Sequence, residues 1–230
     1  RNLEPTKKWR NFPAWERINV VRSERAAISN YVIVISDISQ AKKHEEHLQY
    51  LAHHDVLTGL ANRLLFSARM EQALARALRN NLILGLICID MDNFKYINDS
   101  LGHSVGDDYL KVIAERLKGA VRDEDTVARL GGDEFAILVV DLTEPTDITV
   151  IADKLIQKLA NSVDIKGHSV ASTASLGVSI FPYDAENGEN LLKAADTAMY
   201  YAKAEGRNNA KFFHQEMSAR THRRLVLENS

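Results

Sequence analysis

Two short stretches concentrate the groups able to do chemistry. The first is Leu82-Ile83-Leu84-Gly85-Leu86-Ile87-Cys88-Ile89-Asp90-Met91-Asp92-Asn93-Phe94-Lys95, an apolar run that delivers carboxylates at its end. A strand leaving the core with acids at its tip presents hard oxygen ligands to a cation such as magnesium without burying them unpaired. Asp90 and Asp92 are the candidates, although short Asp-x-Asp patterns also terminate strands and cap the next element. The second stretch is Arg129-Leu130-Gly131-Gly132-Asp133-Glu134-Phe135. Adjacent glycines leave backbone N–H groups unobstructed at a tight turn, where a phosphate or a base can approach, and two acidic side chains come immediately after. That tip suits a nucleotide; an ordinary hairpin with solvated acids would use the same residues.

Both stretches depend on elements that the hydrophobic pattern outlines. Leu82–Asp90 reads as a buried strand, and Thr126–Leu130 and Glu134–Asp141 as two strands joined by the Gly131-Gly132-Asp133 turn. Asn62 precedes a helix to about Asn80, Asp107–Ala120 carries Leu110, Ile113 and Leu117 on one face, and a third helix starts near Pro145. Val170–Ile180 alternates like a half-buried strand; Gly188–Glu205 is helical and stops at Gly206, before a short strand at Ala210–Phe213 and a polar terminal helix. The order βαββαβ with an antiparallel hairpin predicts an α+β fold, a central, mostly antiparallel sheet flanked by helices.

The N-terminal part differs. Pro5, Trp9, Pro13 and Trp15 lie in an irregular segment ahead of two strand-like runs, Ile18–Val21 and Tyr31–Ile35. Two strands are too few to stand alone, so residues 1–38 are expected to be the tail of a larger domain. Ser39–His54 reads as a linker helix with Ala41, Leu48, Leu51 and Ala52 near heptad spacing. It suits pairing with its copy in a dimer, or a solvated helix.

Of 230 residues, 45% are hydrophobic and 26% charged, which excludes disordered and low-complexity classes. The net charge of −2 offers no positive field to nucleic acid or to an anionic membrane, so an anionic ligand must be held by local donors. A single cysteine, Cys88, excludes an internal disulfide framework and points to a reducing, cytoplasmic setting. No run is long enough to span a bilayer, and the polar start is no signal peptide. Parts outside this stretch could still anchor a longer protein to a membrane.

Gly131-Gly132-Asp133-Glu134-Phe135 matches the motif that names the GGDEF family, the diguanylate cyclases that make cyclic di-GMP from GTP. Three further blocks resemble that family in the expected order: Asp55 through Arg63, Asp90 through His103 with Gly106-Asp107 just beyond, and Ala202 through Asn208. The resemblance covers residues 52–213 and implies a palm-like, nucleotide-cyclase-like domain at 55–214. It implies that Asp90, the Met91 carbonyl and Asp133 hold Mg2+ (or Mn2+) on the GTP phosphates. Asn98 and Asp107 match guanine-contacting positions, with His103 and Phe94 in the same pocket, and Gly131 and Gly132 border the substrate. Lys95, Lys203 and Arg207 match phosphate-contacting positions, Lys95 counting with Asp133 and Glu134 among the catalytic residues. Asp133 or Glu134 assists removal of the hydroxyl proton. Asp55 and Arg63, at the family's wide turn, are expected to pair and anchor the linker helix.

The implied reaction joins two GTP molecules with loss of two pyrophosphates, and needs two domains face to face in a homodimer. Arg122-Asp123-Glu124-Asp125 resembles the family's inhibitory RxxD site, with Arg122 and Asp125 holding cyclic di-GMP as inhibitor. Lys154 stands near the place where relatives complete that site with arginine, and lysine lacks the bidentate fork. Tyr31–Ser39 resembles the last strand of a PAS sensor, and Arg220–Ser230, in the 215–230 tail, the lead into an EAL phosphodiesterase domain. Two other classes stand beside the enzyme. One is a catalytically silent GTP- or cyclic-di-GMP-binding module controlling a neighbouring phosphodiesterase; the other is a palm polymerase or other nucleotide cyclase, whose template channel the charge does not support.

Overall fold

Leu84 to Met91 are all buried, and alternate positions of this strand serve different layers. Leu84, Leu86 and Cys88 pack with Phe66, Met70 and Leu74 of α2 (Arg63–Asn80) and with Leu191, Ala195 and Met199 of α6 (Gly188–Ala204). Ile87, Ile89 and Met91 pack with Tyr109 and Ile113 of α4 (His103–Lys118) and with Ile148 and Leu155 of α5 (Asp147–Leu159). A sheet covered on both faces is what makes the strand read as one unbroken apolar run.

The computed structural model describes residues 12–22 and 28–217. It divides at Ala52 into two units. In the larger, five strands lie in the order β4 (Thr126–Gly131), β5 (Glu134–Leu142), β3 (Ile83–Met91), β8 (Ala174–Phe181) and β9 (Ala210–Phe212). Every pairing is antiparallel except β8 with β9, in agreement with the α+β expectation. Asn62 caps α2, its side chain accepting the Leu65 N–H at 3.0 Å. In the smaller unit β1 (Ala14–Arg22) and β2 (Ile28–Asp37) form an antiparallel pair, and α1 (Ser39–His53) comes next in the chain. No helix among the described residues is long and apolar enough to cross a membrane. Residues 215–217 are helical; the rest of the expected terminal helix with the Arg220–Ser230 segment, and Pro5 and Trp9, lie outside the described residues.

Three elements depart from the sequence pattern. A short helix, α3 (Phe94–Leu101), buries only Phe94 and Ile97, too few for periodicity to announce it. Helix α4 starts at His103 rather than Asp107, because Gly106, a poor helix former, sits inside its first turns for a packing reason: a Cβ there would collide with the Asn98 amide oxygen. The alternating run from Val170 is two strands. β7 (His168–Val170) closes a small hairpin with β6 (Val163–Ile165), and the chain leaves the sheet at 171–173 before β8 begins.

Candidate active site at the end of the central strand

Even-numbered positions of β3 face α6, and Asp90 is the last of them. Helix α6 lies tight on the sheet because β8 offers Gly177, where a Cβ would collide with the Ala195 carbonyl and the Met199 backbone. Lys203, near the end of α6, thereby reaches Asp90, with Nζ 2.7 Å from Oδ2. Across the sheet Asp90 is in register with Glu134, and the Met91 N–H donates to the Asp133 carbonyl at 3.3 Å. Burial raises the Asp90 pKa; Lys203 works against this, and the charges of Asp133 and Asp92 add to it.

Asp92 has a different fate. It is buried, and it accepts from Thr173 Oγ1 at 2.6 Å, Ser175 Oγ at 2.7 Å and the Asn208 N–H at 3.1 Å. Ser172 Oγ also donates to its carbonyl, at 2.5 Å. These bonds are why 171–173 leave the sheet, and they occupy Asp92 in joining β3, β8 and the loop after α6. In that loop Gly206, Arg207 and Asn208 all have positive φ, at 110°, 61° and 47°. A left-handed conformation costs a non-glycine residue on the order of 1 kcal/mol, offset here by the Asn208–Asp92 bond and by Asn209 Nδ2 donating to the carbonyls of Ala202 and Arg207. The loop so held keeps Arg207 Nε 3.9 Å from Asp92.

At the hairpin tip Gly131 and Gly132 have φ of 149° and 52°, and no atom lies within 4 Å of where a Cβ would stand on either. The turn needs glycine for its backbone and leaves open space beside it. Asp133 is partly buried and Glu134 exposed. Arg129 reaches back to this tip. Its Nε and Nη2 donate to the Gly132 carbonyl at 2.9 and 2.7 Å, and its Nη1 to Asp55 Oδ1 and Oδ2 at 3.0 and 3.2 Å. The expected Asp55–Arg63 pair is therefore corrected. Asp55 is taken by Arg129 and by the Thr58 N–H and hydroxyl, whereas Arg63, on the first turn of α2, is exposed. Arg129 was visible only as a letter ahead of the glycines; its role needed the fold that brings Asp55 to it.

Beyond β3, α3 and α4 form the other wall. Asn98 is partly buried over Gly106, while His103 and Asp107 are exposed one turn apart on α4. Lys95 is exposed on the first turn of α3. Phe94 is buried, stacked on Tyr109 with centroids 6.3 Å apart, so it floors this region from the core.

Arg122 and Asp125 lie at the other end of β4. The Arg122 guanidinium is exposed, whereas Asp125 is buried, accepting the Arg122 N–H at 3.0 Å and the Val140 N–H at 3.1 Å. Asp125 thus shapes the loop that presents Arg122. Both line a cavity of about 420 Å³ together with Lys154, whose Nζ donates to the Ala120 carbonyl at 2.7 Å.

Among the described residues no three His, Cys, Asp or Glu side chains converge as a metal cage. Two acids beside one another and a strand-end carbonyl, from Asp90, Asp133 and Met91, instead fit Mg2+. That ion keeps waters and takes its remaining ligands from substrate phosphates. Burial, and after it the charges of the neighbouring acids, raise the Asp90 pKa, and a cation held there would favour its ionised form.

The family model described as "Diguanylate cyclase, GGDEF domain" matches residues 52–209. MucR of Pseudomonas aeruginosa, named as a bifunctional diguanylate cyclase/cyclic di-GMP phosphodiesterase, is 41% identical over 189 residues, covering 82% of this chain and 27% of MucR. The diguanylate cyclase TpbB of the same organism is 41% identical over 175 residues, 75% of this chain and 40% of TpbB. A solved structure of the TpbB GGDEF domain alone has a TM-score of 0.72 at 38% identity, covering 74% of this chain and 99% of that one. DgcB of Caulobacter crescentus, solved as coiled coil and GGDEF domain with c-di-GMP, has a TM-score of 0.67 at 26% identity, covering 76% and 93%. The chain thus spans less than half the length of MucR or TpbB. With the motif at the hairpin tip, the fold and the matched length in agreement, this chain belongs to the GGDEF family of diguanylate cyclase domains.

Proposed function

We propose that this domain condenses two GTP molecules into cyclic di-GMP with release of two pyrophosphates. The observation that carries the reading is the meeting of Asp90, the Gly131-Gly132-Asp133-Glu134 tip and Lys203 at the end of β3. It gathers hard oxygen donors, open glycine backbone and a cation in one place. Mg2+, or Mn2+ in its stead, supplies charge neutralisation on the triphosphate and the departing pyrophosphate when bound, and Asp90, Asp133 and the Met91 carbonyl would hold it.

The other steps fall to the chain's own groups. The Asn98 amide and the Asp107 carboxylate address the guanine edge, which offers donors and acceptors together, with His103 beside Asp107 and Phe94 beneath. Lys203 neutralises Asp90 in the free protein and turns to the triphosphate when nucleotide arrives, joined there by Arg207 and Lys95. Asp133 or Glu134 accepts the proton as the 3′-oxygen of one GTP bonds to the α-phosphorus of the other and the bond to pyrophosphate breaks. Each domain brings one GTP, so the reaction runs between two copies of the chain, with α1 as the element suited to pair them. Around this domain, residues 1–38 are the proposed end of a PAS-like sensor and the 215–230 tail a proposed lead toward an EAL-like domain.

Incubation with GTP and Mg2+ tests the reading. Expected are cyclic di-GMP with two pyrophosphates per product, a rate rising faster than linearly with protein concentration, and a loss of at least about 100-fold in Asp133→Ala. Nucleotide binding without pyrophosphate release overturns it and favours the silent regulatory module.

A further inference from the structure

The Arg129 side chain joins two places that the reaction scheme leaves unconnected. One is the turn at Asp55, two residues past the end of α1; the other is the glycine tip. Its side chain is only 12% exposed, and its backbone N–H is itself tied to the Ala61 carbonyl at 2.9 Å, so the guanidinium is held from both ends. Three of its nitrogens are committed. Two converge on the single Gly132 carbonyl, and the third spans both oxygens of Asp55. β4 has a register shift between Arg129 and Gly131, so the strand slips by one residue where the side chain turns back toward the tip.

A carbonyl and the N–H of the same peptide point in opposite directions. Holding the Gly132 carbonyl therefore fixes which way the Asp133 N–H and side chain leave the turn. The next peptide is held as well, by the Met91 N–H on the Asp133 carbonyl. Asp133 is pinned on both sides, and only one pin belongs to the sheet. The other runs through Arg129 to Asp55. Without it, two consecutive glycines of positive φ, each with open space where a side chain would stand, would leave the tip free to pivot.

We infer that Arg129 is a positioning residue for the reaction: it sets the orientation of the Gly132–Asp133 peptide and makes the metal-holding geometry of Asp133 depend on the Asp55 turn. A displacement of that turn, where the chain comes in from α1, shifts the guanidinium and with it the acid. The inference rests on the proposed cyclase reading for its catalytic consequence, but its effect on cation binding stands without turnover.

The test compares the wild-type chain with Arg129→Gln, Arg129→Lys and Asp55→Asn, each first checked for an unchanged circular dichroism spectrum and a cooperative melt. Two quantities are then measured: Mn2+ affinity by electron paramagnetic resonance with a non-hydrolysable GTP analogue present, and kcat with KM for GTP. Expected in Arg129→Gln is Mn2+ affinity weakened at least fivefold and kcat lowered more than tenfold, with KM for GTP changed less than threefold. Lysine, a single point donor, does not restore either value because it cannot bridge carbonyl and carboxylate together. Asp55→Asn shifts both in the same direction by less, and combining it with Arg129→Gln adds nothing further. Folded Arg129 variants that keep wild-type Mn2+ affinity overturn the inference, as do losses that add fully in the double variant. A wild-type chain that binds Mn2+ and nucleotide yet makes no product removes the cyclase reading, and the Mn2+ comparison still decides the role of Arg129.

Discussion

Gly106 illustrates how a missing methyl group can reserve room for a neighbouring side chain, that of Asn98. It lies inside a helix, where alanine is ordinarily better by roughly 0.5–1 kcal/mol, yet a Cβ would meet the Asn98 amide oxygen and lie 3.3 Å from Phe94 Cζ. The far end of the Asn98 side chain is free to swing aside, so Gly106→Ala is expected to leave the melting temperature within a few degrees of wild type. GTP affinity is expected to fall about tenfold or more, the worth of a lost hydrogen bond to a polar ligand edge. Calorimetric titration beside a thermal melt checks this; unaltered affinity removes Asn98 from the guanine pocket. The two acids of the central strand differ for a related reason. Asp90 and Asp92 are equally visible in sequence, but only the positions of Thr173, Ser175 and Asn208 separate a presented carboxylate from an enclosed one. Those partners lie more than eighty residues downstream, beyond any local pattern.

Elements were legible in proportion to their length. The long helices and the buried strand announced themselves by periodicity, and Gly131-Gly132 by turn chemistry. The eight-residue α3 and the three-residue strands β6 and β7 left no such signal. Long-range side chains hold that small hairpin instead. Lys166, at its turn, contacts Asp108 of α4 at 2.8 Å and the Ser104 hydroxyl at 2.7 Å, and Lys111 reaches Asp108 at 2.9 Å. The hydrogen bonds from Lys166, then Lys111, hold the Asp108 pKa down at about 2, against an ordinary value of 3.8. A carboxyl depressed in the folded state adds stability that is complete above the unfolded value and disappears as pH falls through the folded one. Carbon-13 titration of the Asp108 carboxyl should therefore give a midpoint near 2. In Lys166→Ala it should move up toward 3.8. A wild-type midpoint already at the ordinary value contradicts this anchorage.

For the whole molecule the arrangement separates two ends of one strand. β4 runs from the loop of Arg122 and Asp125 to the glycine tip, six residues or about 20 Å of extended chain. An inhibitor held at Arg122 thus acts away from the acids, as a second site with its own coupling. The proposed inhibitor is cyclic di-GMP, with the exposed Arg122 fork as its anchor and Asp125 as the loop's buried brace. Arg122→Ala is expected to keep turnover and lose inhibition by added product; inhibition unchanged from wild type removes the site. On the proposed reading, Asp90 and Asp133 together grip a divalent ion beneath a guanosine triphosphate. Anomalous diffraction at the manganese edge, from crystals grown with Mn2+ and a non-hydrolysable GTP analogue, tests it most directly. The expected result is a peak between the two carboxylates with the triphosphate lying across it. Bound nucleotide with manganese away from both acids would contradict it.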